Sequence, residues 1–268
     1  MPELPDLAVY KQFFDATLLH QEISAVDLKE GGLLKNTSLS ELKDALLGHE
    51  FLSTRRYGKW LFSELDHDPW LVLHFGMTGE LKYFRDQDDV PQYSQLLICF
   101  ANGDQLAYVS IRKLGEIRFI QEVDPFLQAK QLGPDAQTLD QAQFLALLKD
   151  RRGMIKSALM DQQLIAGIGN VYSDEILFQA GIHPRTPVSE LEIVQLRKIF
   201  RQLGQVLETS IENQADPDQF PDHYLTPRRD IPGSCPRCGG KLEKAAVSGR
   251  GAYYCPACQP REKTYQAD

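Results

Sequence analysis

Several features are missing from this 268-residue sequence, and their absence limits what the protein can be. No apolar run approaches the roughly 20 residues that a membrane-spanning helix needs. The N-terminus lacks the basic and then apolar stretch of a secretory signal. No internal repeat and no low-complexity segment is present. These absences predict a cytosolic protein, and the length suits two domains better than one.

An excess of positive charge is also missing. The net charge is −8, which weakly disfavours a polyanionic partner, but the charge is unevenly distributed. Residues 228–263 contain eight Lys and Arg against three Asp and Glu. An acidic protein with a basic C-terminal segment can still bind nucleic acid through a local patch.

Cysteine is scarce, yet four of the five cysteines form one pattern. Cys235-x2-Cys238 and Cys255-x2-Cys258 are separated by sixteen residues. Two such pairs on the arms of a hairpin place four thiolates at tetrahedral zinc distance. We therefore predict one structural zinc ion, with redox use of one pair as the alternative. The fifth, Cys99, lies in an apolar run and is expected to be buried.

The first half of the chain is dominated by strand signals. A helix is predicted from about residue 5 to 19, and short apolar segments separated by turns follow over 22–122, which favours a β-sandwich or barrel. Turns are expected at 66–69 and 102–103.

From Gly133 onward the pattern changes to helices. They are predicted over 144–148, 154–160, 171–180 and 189–213, with capping boxes at Thr138…Gln141 and Ser189…Glu192. Residues 216–231 are predicted to be a loop.

The chain begins Met1-Pro2-Glu3. If Met1 is removed, Pro2 presents a secondary amine with a reference pKa of about 8. Such an amine can attack an aldehyde or a sugar C1′ to form an iminium, and Glu3 can transfer protons beside it. The alternative is that Pro2 merely precedes a helix.

Two glycine-containing segments are candidates for phosphate binding. Gly167 and Gly169 precede a helix that begins near Asn170, where backbone N–H groups can bind an anion. The alternative is a tight turn between packed helices. Arg250 lies between two glycines in the middle of the cysteine pattern, and an arginine at a hairpin tip can donate two hydrogen bonds to a phosphate.

These pieces together resemble one known family. The resemblance rests on five segments in order: Met1 to Pro5, Tyr57-Gly58-Lys59, His74 to Gly79, Asp161 to Glu175, and Gly249-Arg250. In this order, the segments resemble the formamidopyrimidine-DNA glycosylase/endonuclease VIII family of base-excision repair enzymes.

The resemblance implies an α+β protein in three parts. Residues 1–130 would form an N-terminal β-sandwich with an N-terminal helix, which is the catalytic domain. Residues 131–222 would form a helix–two-turn–helix bundle, and 223–268 a zinc-ribbon-like β-hairpin finger. The last two parts would together make up a C-terminal lobe. Double-stranded DNA with a damaged base or abasic site would lie between this lobe and the N-terminal domain. We expect a monomer in the bacterial cytoplasm, associated with the nucleoid when bound to DNA.

The resemblance also implies residue roles. Pro2 would be the nucleophile, Glu3 the acid/base, and Lys59 a phosphate contact that assists elimination. Met77 would be a wedge filling the gap left by the flipped nucleotide, although an unbranched methionine also suits ordinary core filling. The remaining predicted DNA contacts are His74, Arg112, Leu114, Lys156, Asn170 and Arg250.

Two segments depart from the family pattern. Leu114 stands where the family has an aromatic wedge, so stacking on the opposite strand is expected to be weaker. The segment 211–218 is acidic and lacks the Gly/Ser/Thr-rich loop that closes over flipped 8-oxoguanine. We therefore predict a bifunctional glycosylase and abasic-site lyase acting on lesions other than, or broader than, 8-oxoguanine.

Two other functions remain open at the sequence level. A non-catalytic binder of damaged or bent DNA would need the DNA contacts but not the terminal amine. An RNA- or transcription-associated zinc-ribbon protein would explain the cysteines but nothing in the first hundred or so residues.

Overall fold

The computed structural model describes residues 1–29, 31–85, 90–229 and 233–261. The chain divides into two compact units, Met1–Gln131 and Leu132–Asp268. Two stretches of the predicted elements lie outside the described residues: the end of the predicted 216–231 loop, at 230–231, and the end of the predicted finger, at 262–268. Among the described residues, no helix combines the length and apolar character needed to cross a membrane.

In its described residues, the first unit contains three α-helices, one short 3₁₀ helix (Gly31–Leu33) and eight strands. The helices are α1 (Leu4–Thr17), α2 (Leu39–Leu46) and α3 (Val123–Ala129). The strands are β1 (Ile23–Leu28), β2 (Phe51–Tyr57), β3 (Trp60–Leu65), β4 (Trp70–His74), β5 (Gly79–Phe84), β6 (Ser94–Phe100), β7 (Gln105–Ser110) and β8 (Glu116–Ile120).

The strands form two antiparallel sheets that enclose one core. The strand orders are β1-β6-β7-β5 and β2-β3-β4-β8. Alternate side chains of both sheets, such as Ile98 of β6 and Leu73 of β4, join Leu7 and Phe14 of α1 in one buried cluster. The predicted sandwich behind an N-terminal helix is confirmed, as are the turns at 66–69 and 102–103.

Two helices in this unit were not predicted. The α2 helix interrupts the region assigned to strands, although Ser38 and Glu41 form a capping box that signals a helix start. The α3 helix directly follows β8. Cys99 was predicted to be buried, but in the structure it is only half-buried.

The described part of the second unit has four α-helices followed by a hairpin. The helices are α4 (Gln141–Leu148), α5 (Ile155–Met160), α6 (Asn170–Ala180) and α7 (Ile193–Glu212). Strands β9 (Glu243–Val247) and β10 (Arg250–Tyr254) form the hairpin. The helical region and the finger predicted for this half are both present.

The predicted helix starts at Thr138 and Ser189 are wrong. Asp140 caps α4, because its carboxylate accepts the N–H of Gln143 at 2.8 Å. Glu192 caps α7, and Ser189 belongs to a 3₁₀ turn, Val188–Glu190, instead. Two further 3₁₀ turns, Pro217–Gln219 and Thr226–Arg228, lie within the predicted loop.

Candidate functional site

Pro2 and Glu3 stand at the start of α1. Glu3 is the N-cap residue, and its backbone N–H donates to Asp6 Oδ2 at 2.9 Å. Its carboxylate accepts the backbone N–H of Asp6 in return. Glu3 is 1% exposed and Pro2 is half-buried. The pKa of Asp6 is raised to about 6, chiefly by burial and also by the charge of Glu3. Two carboxyl groups therefore lie beside Pro2 at the positive end of a helix.

Lys59 occupies the two-residue turn between β2 and β3. Tyr57 pairs with Trp60 across this turn, and Gly58 takes the positive φ of +54° that such a turn needs. Lys59 is only 8% exposed. The backbone of Lys59 is thus fixed by a tight β-hairpin, and its side chain is buried.

His74 ends β4 directly opposite Trp60 in the sheet, with the ring centroids 4.5 Å apart. The pKa of His74 is lowered to about 4, chiefly by burial, and the positive charge of Lys59 acts in the same direction. Its Nδ1 accepts the Gly76 N–H at 3.4 Å. A neutral ring with Nδ1 as acceptor carries its proton on Nε2, so His74 can donate a hydrogen bond without bearing a charge.

Met77, Arg112 and Leu114 lie on two adjoining loops of the first unit. Met77 is 42% and Leu114 is 53% exposed. The Arg112 backbone N–H donates to Thr78 Oγ1 at 3.1 Å, and Arg112 Nη1 lies 3.1 Å from Met77 Sδ. The structure therefore brings Met77 and Arg112 together from two segments that are far apart in sequence, and Leu114 lies on the same loop as Arg112. The exposure of Met77 excludes core filling.

Two further residues of this cluster were missed by sequence reasoning. Ile111 is 61% exposed. The only sequence feature that could have indicated its place in this cluster is that it is an apolar residue next to Arg112 in a turn. Gly76 has a φ of +58°, and a Cβ there would lie 2.5 Å from the carbonyl carbon and oxygen of Leu114. Only glycine allows the two loops this close approach.

In the second unit, Asn170 is the first residue of α6 and follows the N-cap Gly169. The turn before it is fixed by Gln162, whose Nε2 donates to Ile168 O at 2.7 Å and whose Oε1 accepts the Gly167 N–H at 3.0 Å. Gln162 was not identified from sequence as the organiser of this turn. Among the described residues, Asn170 Oδ1 is a buried atom without a hydrogen-bond partner.

Lys156 lies wholly inside the second unit. It is 0% exposed, and its Nζ donates to Asn170 O at 3.0 Å, Ser173 Oγ at 2.9 Å and Asp174 Oδ1 at 2.5 Å. Asp174 Oδ2 accepts two further bonds from Arg229, at 2.9 and 3.1 Å. What the structure shows for Lys156 is thus a buried cation between α5 and α6, while its contact with a lesion remains a prediction.

Arg250 is exposed beside the turn of the β9–β10 hairpin. Val247 pairs with Arg250, and the intervening Ser248 and Gly249 have φ values of 48° and 75°, as a type I′ turn requires. Ser248 Oγ lies 2.6 Å from Ser157 Oγ. The hairpin tip is therefore anchored to α5.

The four cysteines of the finger meet at one point. Their Sγ atoms all lie within 4.8 Å of one another, with Cys235 and Cys258 3.8 Å apart and Cys238 and Cys255 3.6 Å apart. Tetrahedral zinc with bonds of about 2.3 Å places its sulfurs about 3.8 Å apart. These residues fit a structural zinc ion, and four thiolates leave no open position for catalysis.

Three family models match successive parts of the chain. The formamidopyrimidine-DNA glycosylase N-terminal domain matches residues 1–117, and the H2TH domain of the same glycosylase matches 131–221. A zinc finger found in FPG and IleRS matches 235–261. The matched segments follow one another in the order expected for a single protein family.

Relatives and solved structures match nearly the whole chain. The formamidopyrimidine-DNA glycosylases of Pelotomaculum thermopropionicum and Streptococcus pyogenes serotype M3 are 32% and 34% identical, over 97% of this chain and 99% of each relative. Lactococcus lactis Fpg in complex with N7-benzyl-Fapy-dG DNA superimposes with a TM-score of 0.88 at 26% identity, covering 97% of this chain and 100% of that one. The same protein with abasic-site DNA gives 0.87.

Proposed function

We propose that this chain, which belongs to the formamidopyrimidine-DNA glycosylase/endonuclease VIII family, excises oxidised or ring-opened bases from DNA and then nicks the strand as an abasic-site lyase. The observation that carries the proposal is the start of the chain. Pro2 precedes a buried Glu3 at the N-terminus of α1, in a protein that matches the glycosylases from end to end.

The chemistry begins with the Pro2 amine, once Met1 has been removed. Its lone pair attacks C1′ of the flipped nucleotide, and the damaged base leaves with the electrons of the glycosidic bond. Glu3 supplies a proton to the ring oxygen as the sugar opens, which gives an iminium between Pro2 and C1′.

The iminium also explains strand cleavage. It acidifies the C–H bond at C2′, so loss of that proton expels the 3′ phosphate, and a second elimination can expel the 5′ phosphate. Water then hydrolyses the iminium, which frees the Pro2 amine and releases the enzyme. Lys59 would contact the phosphate and assist elimination from its position in the β2–β3 turn.

The DNA contacts belong to the proposal. Met77, Arg112 and Leu114 would enter the gap in the stack. His74, Asn170 and Arg250 would bind phosphates, with His74 acting as an uncharged donor. Lys156 would act near the lesion from its buried place behind Asn170. The domain limits at residues 130 and 222, the monomeric state, and the cytoplasmic, nucleoid-associated location are likewise proposed.

The first test is borohydride trapping on a duplex with one abasic site, with the wild type beside Pro2→Gly. We expect a covalent protein–DNA band that weakens sharply in the variant, since the variant replaces the secondary amine of proline, which forms the reducible iminium, with a primary amine. Mass spectrometry of the same preparation must show Pro2 as the first residue, and zinc content must be one ion per chain. A protein that meets both conditions and gives no band would be a binder of damaged DNA.

The second test concerns the lesion. Because 211–218 lacks the Gly/Ser/Thr-rich pattern, we expect faster excision of ring-opened purines or oxidised pyrimidines than of 8-oxoguanine. Single-turnover rates on duplexes that differ only in the lesion measure this. A clear preference for 8-oxoguanine opposite cytosine would contradict the substrate proposal and leave the chemistry at Pro2 intact.

A further inference from the structure

A buried charge cluster of Lys156, Asp174 and Arg229 lies behind the start of α6. Their exposures are 0%, 1% and 8%. Asp174 uses both carboxylate oxygens: Oδ1 accepts from Lys156, and Oδ2 accepts from Nε and Nη2 of Arg229. Buried charges are tolerated only when they are paired and hydrogen-bonded in this way.

Both cations of the cluster also hold the backbone of Asn170. Lys156 Nζ and Arg229 Nη2 donate to Asn170 O at 3.0 and 3.3 Å. Two cations beside a helix N-terminus oppose the helix dipole, so they need the Asp174 carboxylate to remain there. Removal of this carboxylate would therefore displace both cations and, with them, the residue that opens α6.

The same carboxylate also holds the finger hairpin. Asp174 Oδ2 accepts the backbone N–H of Tyr253 at 3.1 Å. Tyr253 lies on β10, three residues after Arg250, and the guanidinium of Arg229 lies 5.1 Å from its ring centroid. One side chain on α6 is thus bonded to the strand that carries Arg250.

We propose that Asp174 is a positioning residue that fixes Asn170 and Arg250 relative to one another, so that both phosphate contacts form together. This inference rests on the proposed function, since it takes Asn170 and Arg250 as the phosphate contacts of the second unit. Asp174 itself touches no DNA in this arrangement.

An amide cannot replace the carboxylate at this position. Asparagine offers one oxygen acceptor and one NH₂ donor group, whereas the neighbours that bond to Asp174 are all donors. In Asp174→Asn, either Lys156 or the pair of Arg229 and the Tyr253 N–H would face another donor. One of the two connections must therefore break, although the size of the side chain is unchanged.

The experiment measures binding of the zinc-loaded full chain to a duplex with a tetrahydrofuran abasic analogue over a range of salt concentrations. The variants are Asp174→Asn, Asn170→Ala, Arg250→Ala and the two double variants with Asp174→Asn. Glu243→Gln is the matched control, because it also removes one carboxylate from this unit. Glu243 is exposed, and its carboxylate accepts a hydrogen bond from Tyr254 on the outside of the hairpin.

The direction of the effect separates positioning from charge. Loss of any carboxylate makes the protein more positive, so charge alone predicts equal or tighter binding for both Asp174→Asn and Glu243→Gln. Positioning predicts that Asp174→Asn alone binds about tenfold more weakly. The slope of the salt dependence should also fall by about 0.9 when Arg250 no longer binds its phosphate, whereas loss of the contact from the uncharged Asn170 should leave the slope nearly unchanged. Zinc content and circular dichroism should match the wild type.

The double variants provide the decisive comparison. In the Asp174→Asn background, we expect Asn170→Ala and Arg250→Ala to reduce affinity less than in the wild type, because binding of those phosphates is already impaired. Additive effects, or binding by Asp174→Asn as tight as by Glu243→Gln, would overturn the coupling. If Asp174→Asn fails to fold, Arg229→Gln tests the same connection while the Lys156–Asp174 pair remains, with a smaller loss of affinity expected.

Failure of the proposed function has a different signature. A wild-type protein that binds the abasic duplex no better than an undamaged one would overturn damage recognition itself. Single variants Asn170→Ala and Arg250→Ala that bind like the wild type would overturn their assignment as phosphate contacts, and the coupling with it. One outcome overturns the role of Asp174 alone. In that outcome Asn170→Ala and Arg250→Ala both bind more weakly, while Asp174→Asn either binds like the wild type or has effects that add to theirs.

Discussion

At the scale of single residues, burial decides what His74 can do. An exposed histidine would attract phosphate with a positive charge at mildly acidic pH. His74 is instead packed against Trp60, and desolvation keeps its ring neutral. Its proposed contact with DNA is therefore a directional hydrogen bond that adds little to the salt dependence of binding.

We expect His74 to titrate near pH 4 rather than near its ordinary value of 6.5. Between these values the unfolded chain binds more protons than the folded one. The free energy of unfolding therefore falls as the pH drops through this window, by at most about 3.4 kcal/mol, and is unaffected above it. NMR titration of the imidazole resonances measures this, with His74→Gln providing the assignment. A midpoint near 6.5 would contradict the buried, neutral ring.

At the scale of elements, the wedge residues depend on how two loops meet. The loop that follows β4 and the loop that follows β7 are joined by the bonds of Arg112 to Thr78 and Met77. Gly76 provides the space at their closest approach. Wedge side chains on separately mobile loops would lose conformational entropy on entering the DNA, whereas here the pairing is already formed.

We expect Gly76→Ala to slow base excision at least tenfold, since its Cβ would collide with the Leu114 backbone and force the loops apart. Gly48→Ala is the matched control. Gly48 also has a positive φ, +77°, but nothing lies within 4 Å of its added Cβ, so it shares only the backbone strain of about 1–2 kcal/mol. Single-turnover excision and thermal melting of both variants distinguish the effects. Equal excision rates would show that the loop contact is dispensable.

At the scale of the whole molecule, the finger depends on its metal. Cys235 and Cys255, two of the four cysteines that fit zinc, join Phe178 and Leu225 in a small buried cluster. A structural zinc site contributes about 10–16 kcal/mol of apparent binding energy, and this energy is coupled to folding. Arg250 is held in place by that hairpin and therefore by the zinc ion.

Removal of zinc should weaken DNA binding while the first unit stays folded. We expect chelation, or Cys255→Ser, to lower affinity for the abasic duplex at least tenfold, while the thermal transition of Met1–Gln131 is retained. Cys99→Ser is the control, because Cys99 lies in β6 outside the zinc cluster. Zinc content, binding and calorimetry are measured on the same samples. Unchanged binding by zinc-free protein would exclude the finger from the interface.

Short-range signals in the sequence were sufficient to predict the metal site and the main parts of the fold. The cysteine spacing predicted the metal site, because a Cys-x2-Cys pair imposes its geometry locally. The ordered segments predicted the family, the sandwich and the helical second half. Local signals also gave wrong helix starts. The segments that begin at Thr138 and Ser189 match the capping-box pattern, but Asp140 and Glu192 cap the helices. The box at Ser38 was overlooked among strands.

Other features depend on packing between distant segments, so no local pattern contains them. Met77 meets Arg112 across 35 positions, and Asp174 meets Arg229 across 55 and Tyr253 across 79. Burial, which makes His74 neutral and encloses Lys156, is likewise a property of the folded chain. The residue types that carry the chemistry can be recognised in the sequence. Their protonation and mutual positions are set by tertiary structure, because desolvation and hydrogen bonding arise only when remote segments pack together.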